Sequence, residues 1–161
     1  MTDTDGVSAE LVAMRALSRR EHSAGELRRK LLDKGFEESV VSVVLSDLRR
    51  AGYQDDRRFA EGMVRYRMAR GTGPLKLRHE LRQKGVDEAL IDELVPPESD
   101  AVWLSILQDV RRKRYGSVEA ADPVERARQW RFLTQRGFSG QQIRMAENDN
   151  VSREVVFEDR L

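Results

Sequence analysis

The chain has no cysteine among its 161 residues. Disulfide staples, thiolate metal sites and thiol nucleophiles are therefore excluded. Its two histidines, His22 and His79, stand far apart, and neither belongs to a His-Glu-x-x-His spacing. Both read as surface residues, and no metal or cofactor is expected. No Gly-x-x-x-x-Gly-Lys-Ser/Thr loop is present to cradle a nucleotide. No 18-residue apolar run occurs, and the N-terminus lacks a basic-then-apolar signal pattern, so a soluble cytoplasmic protein without a membrane partner is expected. Aromatics make up only 6% of the chain, while charged residues reach 35%, above the roughly 25% of an ordinary globular domain. That mix suits helices with narrow apolar stripes and solvated outer faces rather than one thick core.

What the chain does contain is a repeat. Leu31-Leu32-Asp33-Lys34-Gly35-Phe36, Leu81-Arg82-Gln83-Lys84-Gly85-Val86 and Leu133-Thr134-Gln135-Arg136-Gly137-Phe138 share one pattern, with glycines 50 and then 52 residues apart. Glycine ends a helix at positive φ, and the basic residue before it faces the negative end of the helix dipole. The apolar residue that follows is spaced to staple onto Val41, Ile91 or Ile143 in the next helix. Asp87 and Ser139 are good N-caps between these partners, whereas Glu37 is a poor one. A fixed period of this length marks a repeat architecture, and such proteins generally present a long surface to a partner instead of one catalytic pocket.

Periodicity places three helices in each copy, nine in three groups of three with no strand, so the expected fold is all-α and built from three tandem three-helix repeats. The divisions fall at 8–52, 53–97 and 98–146, with an acidic tail over 147–161. Residues 1–7 read as a frayed end. Leu11, Met14 and Leu17 mark a first helix from Ser8 to near Arg19. Ser23 and Glu26 form a capping box that opens the second, with Leu27 and Leu31 inside. Val40, Val41, Val44, Leu45 and Leu48 line the third, which stops at Gly52. In the second copy Asp55 and Asp56 start a helix lined by Phe59, Met63 and Tyr66, and Gly71-Thr72-Gly73-Pro74 breaks it. In the third, Asp100 opens a helix bearing Trp103, Leu104, Leu107 and Val110, and Asp122-Pro123 opens the one bearing Trp130 and Leu133. A short last helix runs from Ser139 to about Ala146, Asn148-Asp149-Asn150 reads as loop, and the weak alternation at Val155, Val156 and Phe157 is left unassigned.

The net charge of +1 is unevenly spread. Residues 1–10 and 147–161 each carry −3, which leaves +7 on residues 11–146. A basic body with acidic ends suits an acidic or polyanionic partner. Arg58 and Arg65, and Arg67 with Arg70, sit at helical spacings; Lys76, Arg78 and Arg82 follow; Arg111-Arg112-Lys113-Arg114 is the densest run. Arginine forks grip carboxylates and phosphates bidentately. For a single arginine a solvated helix with i, i+4 pairs, such as Glu61 with Arg65, is the simpler account. For the two basic faces together, binding is favoured. Gly71-x-Gly73-Pro74 could offer amides to an anion, but a plain connector has the same composition and is preferred. Asp55 and Asp56 are explained by capping and not by acid/base chemistry.

On these residues the chain resembles the RecX family, bacterial regulators of the RecA recombinase. The most specific segment is Gly52-Tyr53-Gln54-Asp55-Asp56-Arg57-Arg58-Phe59-Ala60, similar to a Gly-Tyr-x-Asp-Asp-x-Arg-Phe-Ala signature. Arg67, Gly71-x-Gly73-Pro74-x-Lys76-Leu77-Arg78 and Lys84-Gly85-Val86 extend it, as do His22-Ser23-x-x-Glu26-Leu27-Arg28-Arg29-Lys30-Leu31, Arg114-Tyr115-Gly116 and Arg131-Phe132-Leu133-x-x-Arg136-Gly137-Phe138. Gln54 and Val86 depart from the Leu and Ile often found there. The resemblance covers about residues 10–146 and implies an extended, curved array of the three repeats that binds the RecA filament on single-stranded DNA, with no catalytic residue of its own; a monomer that is not an enzyme is expected. It would bridge neighbouring protomers and suppress ATP hydrolysis, strand exchange and the co-protease role, in DNA repair, recombination and the SOS response. Charge clustering nominates Arg65, Arg67, Arg70, Lys76, Arg78, Arg111, Arg112, Lys113 and Arg114 as contacts. The other reading is a helix-turn-helix-like module acting on nucleic acid directly, with weak DNA affinity also compatible with the first.

Overall fold

In the computed structural model, backbone is described for residues 3–116 and 122–158, and side chains for 4–116 and 122–149. Among the described residues there are nine helices and no strand: α1 Asp3–Leu17, α2 Ala24–Asp33, α3 Glu38–Arg50, α4 Asp56–Ala69, α5 Pro74–Gln83, α6 Glu88–Leu94, α7 Ala101–Tyr115, α8 Pro123–Gln135 and α9 Gly140–Glu158. The tail side chains counted above, Arg153, Glu154, Val155, Val156, Phe157, Glu158, Asp159 and Arg160, lie outside the described residues.

Local chemistry sets the helix ends. The Ser23 Oγ accepts from the Glu26 N–H at 3.0 Å while the Glu26 carboxylate accepts from the Ser23 N–H at 3.2 Å, a complete capping box. Ser139 and Gln142 repeat it, with the Gln142 amide oxygen 2.9 Å from the Ser139 N–H. Asp87 accepts from the Ala89 N–H at 2.9 Å, whereas Glu37 makes no side-chain cap. Gly35, Gly85 and Gly137 all adopt positive φ, at 90°, 77° and 97°. The residues spaced as staples are covered: Val86, Ile91, Phe138 and Ile143 are buried, and half-buried Phe36 packs against the cluster that contains Val41.

Four expectations need correction. The helix α1 starts at Asp3, not Ser8, and it buries Ala9, Ala13 and Ala16 while Leu11 is 53% exposed. An alanine face lets α1 lie close against α2 and α3, an arrangement that a search for large apolar residues overlooks. Tyr66 is exposed, and α4 buries Phe59, Ala60 and Val64 instead. His22 is buried, its Nδ1 3.0 Å from the Arg20 carbonyl. The helix α9 runs to Glu158 rather than stopping near Ala146, since no glycine or proline follows to break it.

The chain divides into two compact units. Unit 1 comprises Met1–Met63 with Glu80–Leu94, and unit 2 comprises Val64–His79 with Val95–Leu161. In unit 1, Leu27, Leu31, Val41, Val44, Leu45 and Leu48 pack with the α1 alanines. Each fully buried leucine is worth roughly 1.5–3 kcal/mol. In unit 2 the buried set includes Leu77, Trp103, Leu107, Leu133, Phe138 and Ile143, with the Trp103 indole N–H donating to the Pro96 carbonyl at 3.1 Å.

The repeated glycine turn has a second job. In unit 1 the Ser23 hydroxyl donates to the Lys84 carbonyl at 2.6 Å, and a Cβ on Gly25 would lie 2.6 Å from that same oxygen. In unit 2 the Gly73 N–H donates to the Arg136 carbonyl at 2.7 Å, and a Cβ on Gly73 would lie 2.4 Å from the Gly137 carbonyl carbon. Lys84-Gly85 and Arg136-Gly137 are equivalent positions in the repeat, as are Ser23 and Gly73. One docking mode is thus used twice: the start of a repeat's middle helix sits on the glycine turn of the next copy. Among the described residues nothing lies within 4 Å of where a Cβ on Gly35 would stand.

Candidate partner-binding groove

Most of the signature residues are occupied in building the fold. Gly52 takes φ 79° to end α3. Asp55 caps α4 by accepting from the Arg58 N–H at 3.1 Å. Asp56 accepts at 2.8 Å from both the Ala24 N–H and the buried Gln54 amide, which joins the starts of α2 and α4. Arg58 pairs with Glu21 and donates to the Tyr53 carbonyl at 3.1 Å. Phe59 and Ala60 are buried, Gly71 takes φ 77°, and Gly73 and Gly85 make the close approaches just described. The Tyr53 side chain, by contrast, is exposed, at 54%.

The spent amides also answer the anion reading of Gly71-Thr72-Gly73-Pro74. The Gly73 N–H goes to the Arg136 carbonyl and the Leu75 N–H to the Gly137 carbonyl at 3.0 Å. The segment is a connector. Glu61, offered as a partner for Arg65, faces Arg57 at 3.9 Å.

Unit 2 contains a groove of about 760 Å³ between the last turn of α4, the first turns of α5, the outer half of α7 and the end of α8. It is lined by Arg67, Arg70, Lys76, Lys113, Arg114 and Arg136, with Met68, Ile106, Val110 and Phe132 as apolar lining. Helical spacing explains the α7 share: Ile106, Asp109, Val110, Lys113 and Arg114 follow the i, i+3, i+4, i+7, i+8 rule for one face. A glycine at position 71 is obligatory here, since a Cβ would lie 2.2 Å from the Val110 Cγ2. That contact brings α4 and α7 close enough for their cations to share the groove.

Several guanidiniums are held in place by rings and carbonyls. The Arg114 and Arg136 groups lie 5.8 and 5.4 Å from the Phe132 ring centre, and Tyr115 meets Phe132 edge-on at 5.6 Å. The Arg70 group lies 4.7 Å from the centre of the Tyr66 ring. The Arg136 Nη1 donates to the Arg70 carbonyl at 3.1 Å, at the end of α4. Such stacking orients a guanidinium without consuming its donors. Among the described residues Asp109 is the groove's one lining carboxylate, and it is paired with Arg112.

Of the nine nominated cations, the structure thus brings five to one groove: Arg67, Arg70, Lys76, Lys113 and Arg114. Arg65, Arg78, Arg111 and Arg112 do not line it. Arg78 is half-buried and donates to the Val95 carbonyl at 3.3 Å, and Arg112 is turned to Asp109. Arg136 was missed because its place before Gly137 already explained it as a helix terminator. Its spacing from Phe132 is i, i+4, which was the signal available.

Among the described residues no group of three or more His, Asp or Glu side chains is placed to hold a metal ion, and no helix is long and apolar enough to cross a membrane. The surface chemistry on offer is recognition of carboxylates or phosphates.

Comparison with known proteins agrees with this architecture. Models of the first, second and third three-helix domains of RecX match residues 9–56, 55–95 and 104–146. The regulatory protein RecX of Halorhodospira halophila is 42% identical over 144 residues, spanning 88% of this chain and 89% of that one. The protein of the same name from Pseudomonas entomophila is 37% identical over 137 residues, 85% and 88% of the two chains. A crystal structure of regulatory protein RecX superposes with a TM-score of 0.75 at 25% identity, covering 89% of this chain and 73% of that one. RecX from Lactobacillus salivarius gives the same TM-score at 20% identity, over 91% and 96% of the chains, and supports the fold alone. With three matched domains in order and close relatives along most of its length, the chain belongs to the RecX family of regulatory proteins.

Proposed function

We propose that this protein binds the RecA filament through the groove of unit 2 and lowers its ATP hydrolysis, strand exchange and co-protease activity. The observation that carries the reading is electrostatic. Among the described residues, six cations converge on one groove whose single lining carboxylate is already paired. Like charges held together raise the energy of the free protein, and an acidic protein surface relieves that repulsion on binding. Arginine forks held over Phe132 and Tyr66 are pre-oriented for carboxylates, so little side-chain entropy is lost on docking.

The test is charge reversal at two exposed positions, Arg70→Glu with Lys113→Glu. Inhibition of RecA's DNA-dependent ATPase should then require a concentration higher by about tenfold or more, equivalent to ~1.4 kcal/mol or above, with helicity unchanged. Unaltered inhibition would remove this groove from the contact. Direct action on nucleic acid predicts another result: tight binding to naked duplex with a steep negative salt slope, and no preference for RecA-coated DNA.

A further inference from the structure

Unit 1 has a basic cleft of its own, built from residues that the first groove does not use. It has a volume of about 470 Å³ and lies at the C-terminal ends of α1 and α2. Val12 and Ala16 provide apolar lining, Arg15 and Arg19 come from α1 and the residues just after it, and Lys30 and Lys34 come from the end of α2. Arg20 and His22, from the connector, complete the lining, and among the described residues no carboxylate belongs to it. Arg20 is engaged by Glu26 at 3.2 Å, whereas among the described residues Arg15, Arg19, Lys30 and Lys34 have no ion-pair partner. A cation at a helix C-terminus answers the dipole. That accounts for one such residue per helix, but not for four unpaired cations around a single cleft.

The lining also discriminates between anions. Among the described residues no Phe, Tyr or Trp lines it, and its one aromatic ring, the imidazole of His22, is buried, so nucleic-acid bases have no exposed platform on which to stack. The Val12 and Ala16 surface would be left idle by a phosphodiester chain, yet it fits an apolar side chain. Buried His22 sits among these cations. Burial holds its pKa below the ordinary 6.5, and Arg20 and Lys30 push the same way against Glu26 and the Arg20 carbonyl. Incoming carboxylates would reverse that push, which makes the imidazole a reporter of occupancy.

We propose that the α1–α2 cleft is a second docking site, taking a short acidic peptide segment that carries an apolar side chain between its carboxylates. It does not depend on what the groove of unit 2 binds.

The experiment uses the full chain with Arg70→Glu and Lys113→Glu in place, so that the groove of unit 2 does not contribute. The probe is a fluorescein-labelled octapeptide of six glutamates around two central leucines, followed by anisotropy. Saturable binding is expected, weakened at least tenfold by Lys30→Glu with Lys34→Glu and severalfold when the leucines become serines. The His22 ring resonances should move on saturation, and their titration midpoint should rise. Lys30→Gln with Lys34→Gln is the fallback should charge reversal disturb the helices. Equal binding by either lysine pair, an unmoved His22, or a twenty-residue oligothymidylate that binds more tightly and displaces the peptide would each overturn the proposal.

Discussion

At Glu26 the carboxylate accepts from the Ser23 N–H at 3.2 Å, from Arg20 at 3.2 Å and from the Lys84 ammonium at 2.7 Å. Burial alone would raise its pKa, but the hydrogen bonds from Arg20, Lys84 and Ser23 outweigh it and bring the value from 4.5 down to about 2. Because the folded-state value lies below the unfolded one, the ionised carboxylate stabilises the fold fully above about pH 4.5. That contribution disappears as pH falls through about 2. Glu26→Gln should cost on the order of 2 kcal/mol at pH 7 and almost nothing near pH 2, as measured by urea unfolding across that range. A difference that stays constant with pH would contradict the assignment. Asp56 offers a companion test. Asp56→Ala strips the acceptor from the Ala24 N–H and the buried Gln54 amide, and should destabilise by about 1–3 kcal/mol. Residue identity was most legible where a side chain serves its own helix, as at Ser23, Glu26, Asp87, Ser139 and Gln142. It was least legible where a distant partner decides the outcome: His22 is covered by tertiary packing, Tyr66 is exposed beneath Arg70, and Asp56 reaches across to α2.

Among the elements, the start of a middle helix docked on the next copy's glycine turn is the recurring joint; Gly73 lies in it, whereas Gly35 lies outside it. Gly73 has an ordinary φ but no room, since a Cβ would stand 2.4 Å from backbone. Gly35 has room but φ 90°. Gly73→Ala should therefore cost more, about 2–3 kcal/mol from overpacking, against about 1 kcal/mol for Gly35→Ala. Denaturant midpoints of the two variants decide between them, and equal losses would mean that the joint is loose. Helix α2 was readable from its capping box and leucines, and α3 from its valine stripe and Gly52. The ends of α1 and α9 were not. Asp3-Thr4-Asp5-Gly6 and Asn148-Asp149-Asn150 are poor helix formers, but no proline interrupts either stretch and each prolongs a ladder already nucleated, so the helices reach Asp3 and Glu158. The groove itself was half legible. Clustering along the chain found Arg67, Arg70, Lys76, Lys113 and Arg114, but only the fold shows that they meet, that Arg136 joins them, and that Asp109 holds Arg112 away.

For the molecule as a whole, each of the two units carries a basic surface, and the net negative charge of the chain lies in residues 1–10 and 147–161. The three-helix period was legible because the same terminator, staple and cap recur in order. The division into two units was not, because it crosses α4 and α5 and follows the docking joints instead of the repeat. A charge-driven contact of this kind should weaken with ionic strength. Half-inhibition of RecA should shift to higher protein concentration between about 50 and 200 mM salt, and by a smaller factor for the Arg70→Glu/Lys113→Glu variant than for the natural sequence. The central claim is tested most directly by titrating the protein into RecA assembled on single-stranded DNA while ATP turnover is followed. The account predicts that turnover falls in a saturable, dose-dependent way and that Arg70→Glu with Lys113→Glu restores most of it. Turnover that stays level at every ratio of the two proteins, or a variant as potent as the natural sequence, would contradict it.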